Sequence, residues 1–168
     1  MFINLCDDSA FMTKKSVKKE AVTVNKVRIN TAIAVHKQVS EFDKNYLDHF
    51  FEQRLVGRKH LITVAYLGKN PAGYMISYDD RDGSVYCWMA GVIPEFRRNC
   101  ALHAMMGFLE NWALKNGFSK VKIKTRNKWR GMLTYLVKNG FLFTKVDGYE
   151  DVGENRIYLE KDIRKDKI

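Results

Sequence analysis

The hydrophobic period of the chain changes from two to 3.6 at Pro94, and that switch constrains the fold more than any other feature. Before it, three strand-like stretches follow one another: His60 to Leu67, Ala72 to Asp79 and Ser84 to Val92. The links between them, Gly68-Lys69-Asn70-Pro71 and Asp79-Asp80-Arg81-Asp82-Gly83, hold the residue types that tight turns require. An antiparallel meander is expected. After Pro94, Leu102, Met105, Met106, Leu109, Trp112 and Ala113 fall on one face of a helix that Gly117 can end.

The same patterns organise the rest. From Ala21 to Ile29 the residues alternate as in a half-buried strand, and Asn30 or Thr31 can cap a short helix through Val39. Ser40-Glu41-Phe42-Asp43 breaks it, and Leu47, Phe50, Phe51 and Leu55 recur at helical spacing up to Gly57. Downstream, Val121 and Ile123 alternate with Lys120, Lys122 and Lys124. Trp129, Met132, Leu133, Leu136 and Val137 then define a last helix closed by Gly140, before two strands, Phe141 to Val146 and Arg156 to Glu160. Residues 1–20 show no sustained period and are expected to be a basic N-terminal extension, 21–161 the domain, and 162–168 a charged tail.

With 168 residues, 46% of them hydrophobic, the chain can bury one core of ordinary size. No apolar run reaches the roughly 18 to 20 residues of a membrane span, and the first residues lack a basic region followed by an apolar stretch, so a cytoplasmic protein is expected. Three cysteines without Cys-x-x-Cys spacing and four scattered histidines predict no metal site. The net charge is +10, with lysines gathered at Lys14, Lys15, Lys18 and Lys19 and basic residues again from Lys120 to Arg130. Such an excess favours anionic cofactors, acidic proteins or nucleic acid as partners.

The most informative stretch runs from Trp88 to Leu102, where a strand passes through a short basic turn, Glu95-Phe96-Arg97-Arg98-Asn99-Cys100, into a helix. Unpaired amides and the positive end of the helix dipole, with two arginines beside them, make a pyrophosphate site on physical grounds. Gly91, lacking a Cβ, lets a ligand approach the strand backbone, or marks a bulge.

Gly91-Val92-Ile93-Pro94-Glu95-Phe96-Arg97-Arg98 resembles the passage into the coenzyme-binding turn of the GNAT acyltransferase superfamily. Gly73-Tyr74, Glu110-Asn111-Trp112, the segment Lys124 to Leu133 and Asn139-Gly140-Phe141 follow in family-like order. The resemblance implies an α/β fold with a mixed, mostly antiparallel sheet of about seven strands and about four helices, splayed at a central coenzyme cleft. It also implies acetyl-CoA as co-substrate, with its pantetheine arm bonded by the backbone around Gly91, Val92 and Ile93. Arg97, Arg98, Asn99 and Cys100, then Ala101, Leu102 and His103, would surround the pyrophosphate, and Asn127 and Arg130 would lie near the open end of the cleft.

The chain departs from the family's turn, Arg/Gln-x-x-Gly-x-Gly/Ala, at Cys100 and Leu102, which is expected to limit coenzyme affinity. At the position of the family's acid tyrosine stands Leu136, with Tyr135 next to it and rotated by about 100° on a helix. Tyr135 is therefore a substitute acid or a packing residue. Glu41, with Asp43 near it, is the first candidate for general base unless it caps a helix, and Tyr86 lies on the strand leading to the cleft. Direct acetyl transfer to an amine, without a covalent intermediate and with an acceptor on or near a macromolecule, is the leading expectation. The alternative is a catalytically degenerate module binding nucleic acid or protein through its basic surface; a third is a nucleic-acid-modifying enzyme with another acyl donor.

Overall fold

The structure, a computed structural model, describes residues 21–42 and 48–164; the extension bearing Lys14, Lys15, Lys18 and Lys19, and the candidate base Asp43, lie outside them. The chain runs β1 (Val22–Lys26), α1 (Ile29–His36), α2 (Asp48–Leu55), β2 (His60–Leu67), β3 (Asn70–Asp79), β4 (Ser84–Val92), α3 (Ala101–Lys115), β5 (Lys120–Arg126), α4 (Arg130–Lys138), β6 (Leu142–Asp147) and β7 (Arg156–Asp162). The strands form one sheet in the order β1-β2-β3-β4-β5-β7-β6, antiparallel except where β4 meets β5.

Period-two alternation explains how the sheet acquires two covered faces. Val121 and Ile123 of β5 and Ile157 and Leu159 of β7 bury against α3 and α4, together with Met105, Met106 and Leu109. On the opposite face, Ile33 and Val35 of α1 and Phe51 and Leu55 of α2 pack on Val64, Tyr74 and Ile76. The methionines of α3 are core residues, as its helical period predicted. Gly117 and Gly140, both with φ of +83°, adopt the left-handed conformation just beyond α3 and α4.

Pairing between β4 and β5 is short. It joins Ser84 to Lys120 and ends at Cys87 opposite Ile123. One residue later the β3–β4 register jumps, with Ser77 opposite Cys87 and Ile76 opposite Met89, leaving Trp88 as the extra residue of a bulge. A bulge bends its strand and increases its twist, which carries the end of β4 away from β5. The splay expected between these strands is present.

Some element ends differ from the sequence reading. The first strand stops at Lys26, and α1 begins at Ile29 with extended Arg28 as its N-cap, so neither Asn30 nor Thr31 caps it. It ends at His36 and continues to Val39 only as turns. At the other end, β7 includes Asp162, and Ile163 is buried with its amide bonded to the Ser119 carbonyl, because the core offers it an apolar site.

Candidate functional site

The gap between the end of β4 and β5 opens into a cavity of about 1940 Å³, lined from β4, β5, α3, α4 and the turn after β4. Along the antiparallel β3–β4 ladder, backbone groups point alternately to the two neighbours. The Ile93 amide bonds to the Ala72 carbonyl on the β3 side, so those of Val92 and Ala90 face the cleft. The Val92 carbonyl accepts from Arg97 Nε at 3.2 Å.

The turn before α3 is built on left-handed residues. Arg98 has φ of +63° and Cys100, the N-cap of α3, φ of +61°. The chain thus keeps at Cys100 the backbone shape that glycine adopts without penalty, and a side chain there costs about 1–2 kcal/mol. Arg97, Arg98, Cys100, Ala101, Leu102 and His103 all line the cavity. Leu102 is half-buried and also packs against the core above the sheet.

Glu41 lines the same cavity, where Arg97 Nη2 lies 2.7 Å from its Oε2 and the Ser40 hydroxyl donates to the same oxygen at 2.9 Å. The bond from Arg97 holds the Glu41 carboxyl below its ordinary value, against an opposing desolvation. A carboxylate so stabilised is a weaker base.

Tyr135 faces the cleft while Leu136 is buried in the core, and the Tyr135 hydroxyl shares a 3.3 Å hydrogen bond with His103 Nδ1. Burial raises the Tyr135 pKa, so its proton is retained at neutral pH. Cys87 is also on the cavity wall, and burial pushes its thiol up to about 12.

Several sequence candidates are placed elsewhere. Tyr86 does not line the cavity, because it sits in the paired part of β4 opposite Lys122 with its ring packed on Tyr78. Ile93 is buried on the α1–α2 side, and Asn127 is turned to the β6–β7 connection, donating to the Val152 carbonyl. Asn99 belongs to the turn but not to the lining, whereas Arg130 does line the cavity. Gly91 lines it too, but its missing Cβ serves the protein's own packing. A Cβ there would lie 2.8 Å from the Phe42 ring and 3.1 Å from both Tyr74 and Val39.

Trp88, Lys124, Trp129 and Arg156, none of them a site candidate from the sequence, also line the cavity. Lys124 was legible as the polar phase of β5. Arg156 was not, since its position depends on the register of β7 against β5. No group of metal-ligating side chains occurs among the described residues.

The model of the "Acetyltransferase (GNAT) family" matches residues 29–141, more than half of the chain. A search of curated proteins gives no match. Among solved structures, the ribosomal-protein-S18-alanine N-acetyltransferase of Escherichia coli aligns with a TM-score of 0.72 at 15% identity, over 85% of this chain and 94% of its own. Ard1 from Thermoplasma volcanium gives 0.70 at 16% identity, over 84% and 97%. A GNAT family acetyltransferase from Elizabethkingia anophelis, solved with acetyl-CoA bound, gives 0.67 at 15% identity, over 84% and 97%.

Proposed function

The chain belongs to the GNAT acetyltransferase family, and from that membership we propose that it moves an acetyl group from acetyl-CoA directly to an amine. The observation that carries this reading is the separation of β4 from β5 beyond Cys87 and Ile123, which leaves strand backbone facing an open cavity beside the turn at the start of α3. The backbone groups of Ala90 and Val92 on β4, which face the cleft, would hold the pantetheine arm. The amides of the turn from Arg98 through His103, at the positive end of a fifteen-residue helix, would receive the pyrophosphate.

In the transfer, the amine attacks the thioester carbonyl, a β4 amide stabilises the oxyanion, and the departing thiolate takes a proton. Tyr135 supports that last step, since its hydroxyl stays protonated and lines the cleft within hydrogen-bond distance of His103. The acceptor nitrogen loses its proton to water in the open cleft, because the bond from Arg97 lowers the basicity of the Glu41 carboxylate. The raised pKa of the Cys87 thiol argues against a covalent acyl-enzyme there, as a thiol is a poor nucleophile. The excess of positive charge, +10 over the chain, favours an acceptor on or near an acidic macromolecule.

Calorimetric titration of the full chain with acetyl-CoA and with free CoA tests this. Micromolar binding followed by turnover of an amine supports transfer. Absence of coenzyme binding returns the protein to the alternative of a non-catalytic module that binds nucleic acid or protein through its basic surface.

A further inference from the structure

On the face of the sheet opposite α3, the half beyond β4 carries a row of cations. Since Val121, Ile123 and Ile157 are buried towards α3 and α4, strand alternation brings Lys120, Lys122, Lys124 and Arg126 of β5, and Arg156 of β7, out on the other side. Most are neutralised. Lys120 pairs with Glu160, Lys122 with Asp80 and Asp82, Arg126 and Lys128 with Glu154, and Lys145 with Asp147.

Lys124, Arg156 and Arg54 pair with no carboxylate among the described residues. Aromatic rings hold them instead. Lys124 Nζ lies 5.8 Å from the Tyr158 ring, and the Arg156 guanidinium 5.5 Å from that of Tyr149. Arg54 sits 5.6 Å from the rings of both Tyr78 and Trp88, donating to the Tyr78 hydroxyl. Aromatic faces orient a cation without cancelling its charge.

The three converge at one end of the cleft. Lys124, Arg156 and Trp88 all line the cavity, and Arg54 lies against Trp88. The β5–β7 register sets Arg156 opposite Arg126, two residues from Lys124 on the same face, a diagonal spacing of about 7–8 Å. Desolvation, then Arg156 and Arg54, hold the Lys124 ammonium below the usual lysine range, with Asp147 opposing them. Asp147, opposite Arg156 across the β6–β7 ladder and itself paired with Lys145, and Glu154 offset part of this charge, and a bound anion would relieve the remainder. The turn that would serve the coenzyme pyrophosphate is at the start of α3, on the other face.

We propose that the acceptor enters at the end of the cleft where Lys124, Arg156 and Arg54 meet, away from the turn before α3, and that these cations form an anion subsite for a carboxylate or phosphate carried by the acceptor beside its amine. This rests on the acyl-transfer reading above and names the class of its acceptor. The subsite recognises an acidic amine and disfavours polyamines.

The test uses the full chain with matched acceptors. Phosphoethanolamine is compared with ethanolamine and β-alanine with propylamine, which separates phosphate from carboxylate as the recognised group. At least one anionic member is expected to be preferred in kcat/KM by about tenfold or more, the scale of one or two hydrogen bonds to a charged group. Lys124→Met and Arg156→Met bring that ratio towards one, Lys124→Arg restores it, and Lys69→Met in the distant β2–β3 turn keeps it. Equal use of charged and neutral acceptors by wild type overturns the inference.

Titration with inorganic phosphate and with acetate, with and without CoA, reads the subsite independently of turnover. Saturable binding weakened by Lys124→Met supports it, and absence of binding by both anions overturns it. A matching loss of CoA affinity in Lys124→Met and Arg156→Met assigns the cations to the donor and also overturns it. Failure of acetyl-CoA to bind wild type overturns the transfer reading, while the anion titrations still decide whether the subsite exists.

Discussion

Arg97 reaches from the turn after β4 to the segment after α1, placing Nη2 2.7 Å from Glu41 Oε2 while its Nε donates to the Val92 carbonyl. One guanidinium therefore ties the end of the splayed strand to the segment that follows α1. Both side chains are partly exposed, so the pair contributes at most about 0–1 kcal/mol to stability. Its importance is positional. Under the proposed function, a pyrophosphate arriving at the turn would compete with Glu41 for Arg97.

Under the same reading, Glu41→Gln would remove that competitor without removing the general base. The expected result is CoA binding at least as tight as in wild type, with kcat lowered by less than about threefold, whereas loss of a general base costs roughly 10²–10⁴. The pH dependence carries a sign. Because its folded pKa is depressed, the carboxylate's small stabilisation is present above its unfolded pKa and lost as pH falls through the folded one. Urea titrations of both forms across the acid range check this, together with steady-state kinetics.

Tyr135→Phe is expected to lower kcat by about one to two orders of magnitude with little change in CoA affinity, the pattern of a lost proton donor. Since burial raises its pKa, wild-type activity should show no decline assignable to tyrosine ionisation up to its ordinary value of 10.0. His103→Ala, which removes the hydrogen-bond partner at 3.3 Å, should cost less in kcat. A kcat that is unchanged in Tyr135→Phe would return this ring to packing.

Cys100→Gly removes the left-handed penalty at the N-cap of α3, a gain of about 1 kcal/mol. In thermal unfolding it should appear as a rise in Tm of roughly 2–4 °C. If close approach of phosphate is limited by this turn, the same variant tightens CoA binding, and Leu102→Ala does so at some cost in stability, because Leu102 also packs on the core. Unaltered CoA affinity in both would mean that the turn already fits its ligand.

Gly91→Ala is expected to destabilise by about 1–3 kcal/mol, as overpacking does. The new Cβ would lie 2.8 Å from the Phe42 ring. Denaturant unfolding measures this, and Phe42→Leu in the same background should recover part of the loss by yielding space. Weakened coenzyme binding at undiminished stability would point instead to the ligand as the reason for the glycine.

Local periodicity determined a great deal. The alternation of Val121 and Ile123 with lysines, the helical face from Met105 to Ala113 and the glycines at 117 and 140 report interactions within a few residues, so element type and order were legible. The basic turn before α3 was legible for the same reason. What tertiary structure decided lies between segments distant in sequence. The bulge at Trp88 exists only as a mismatch between β3 and β4, and the Arg97–Glu41 pair spans 56 residues. Gly91 is a glycine because Phe42, Val39 and Tyr74 converge on it, and Arg156 reaches the cleft because β7 pairs with β5 in one register. Periodicity reveals which face of an element is buried; which distant face meets it is set by packing, and that packing determines whether a side chain such as Tyr86 or Tyr135 enters the cleft.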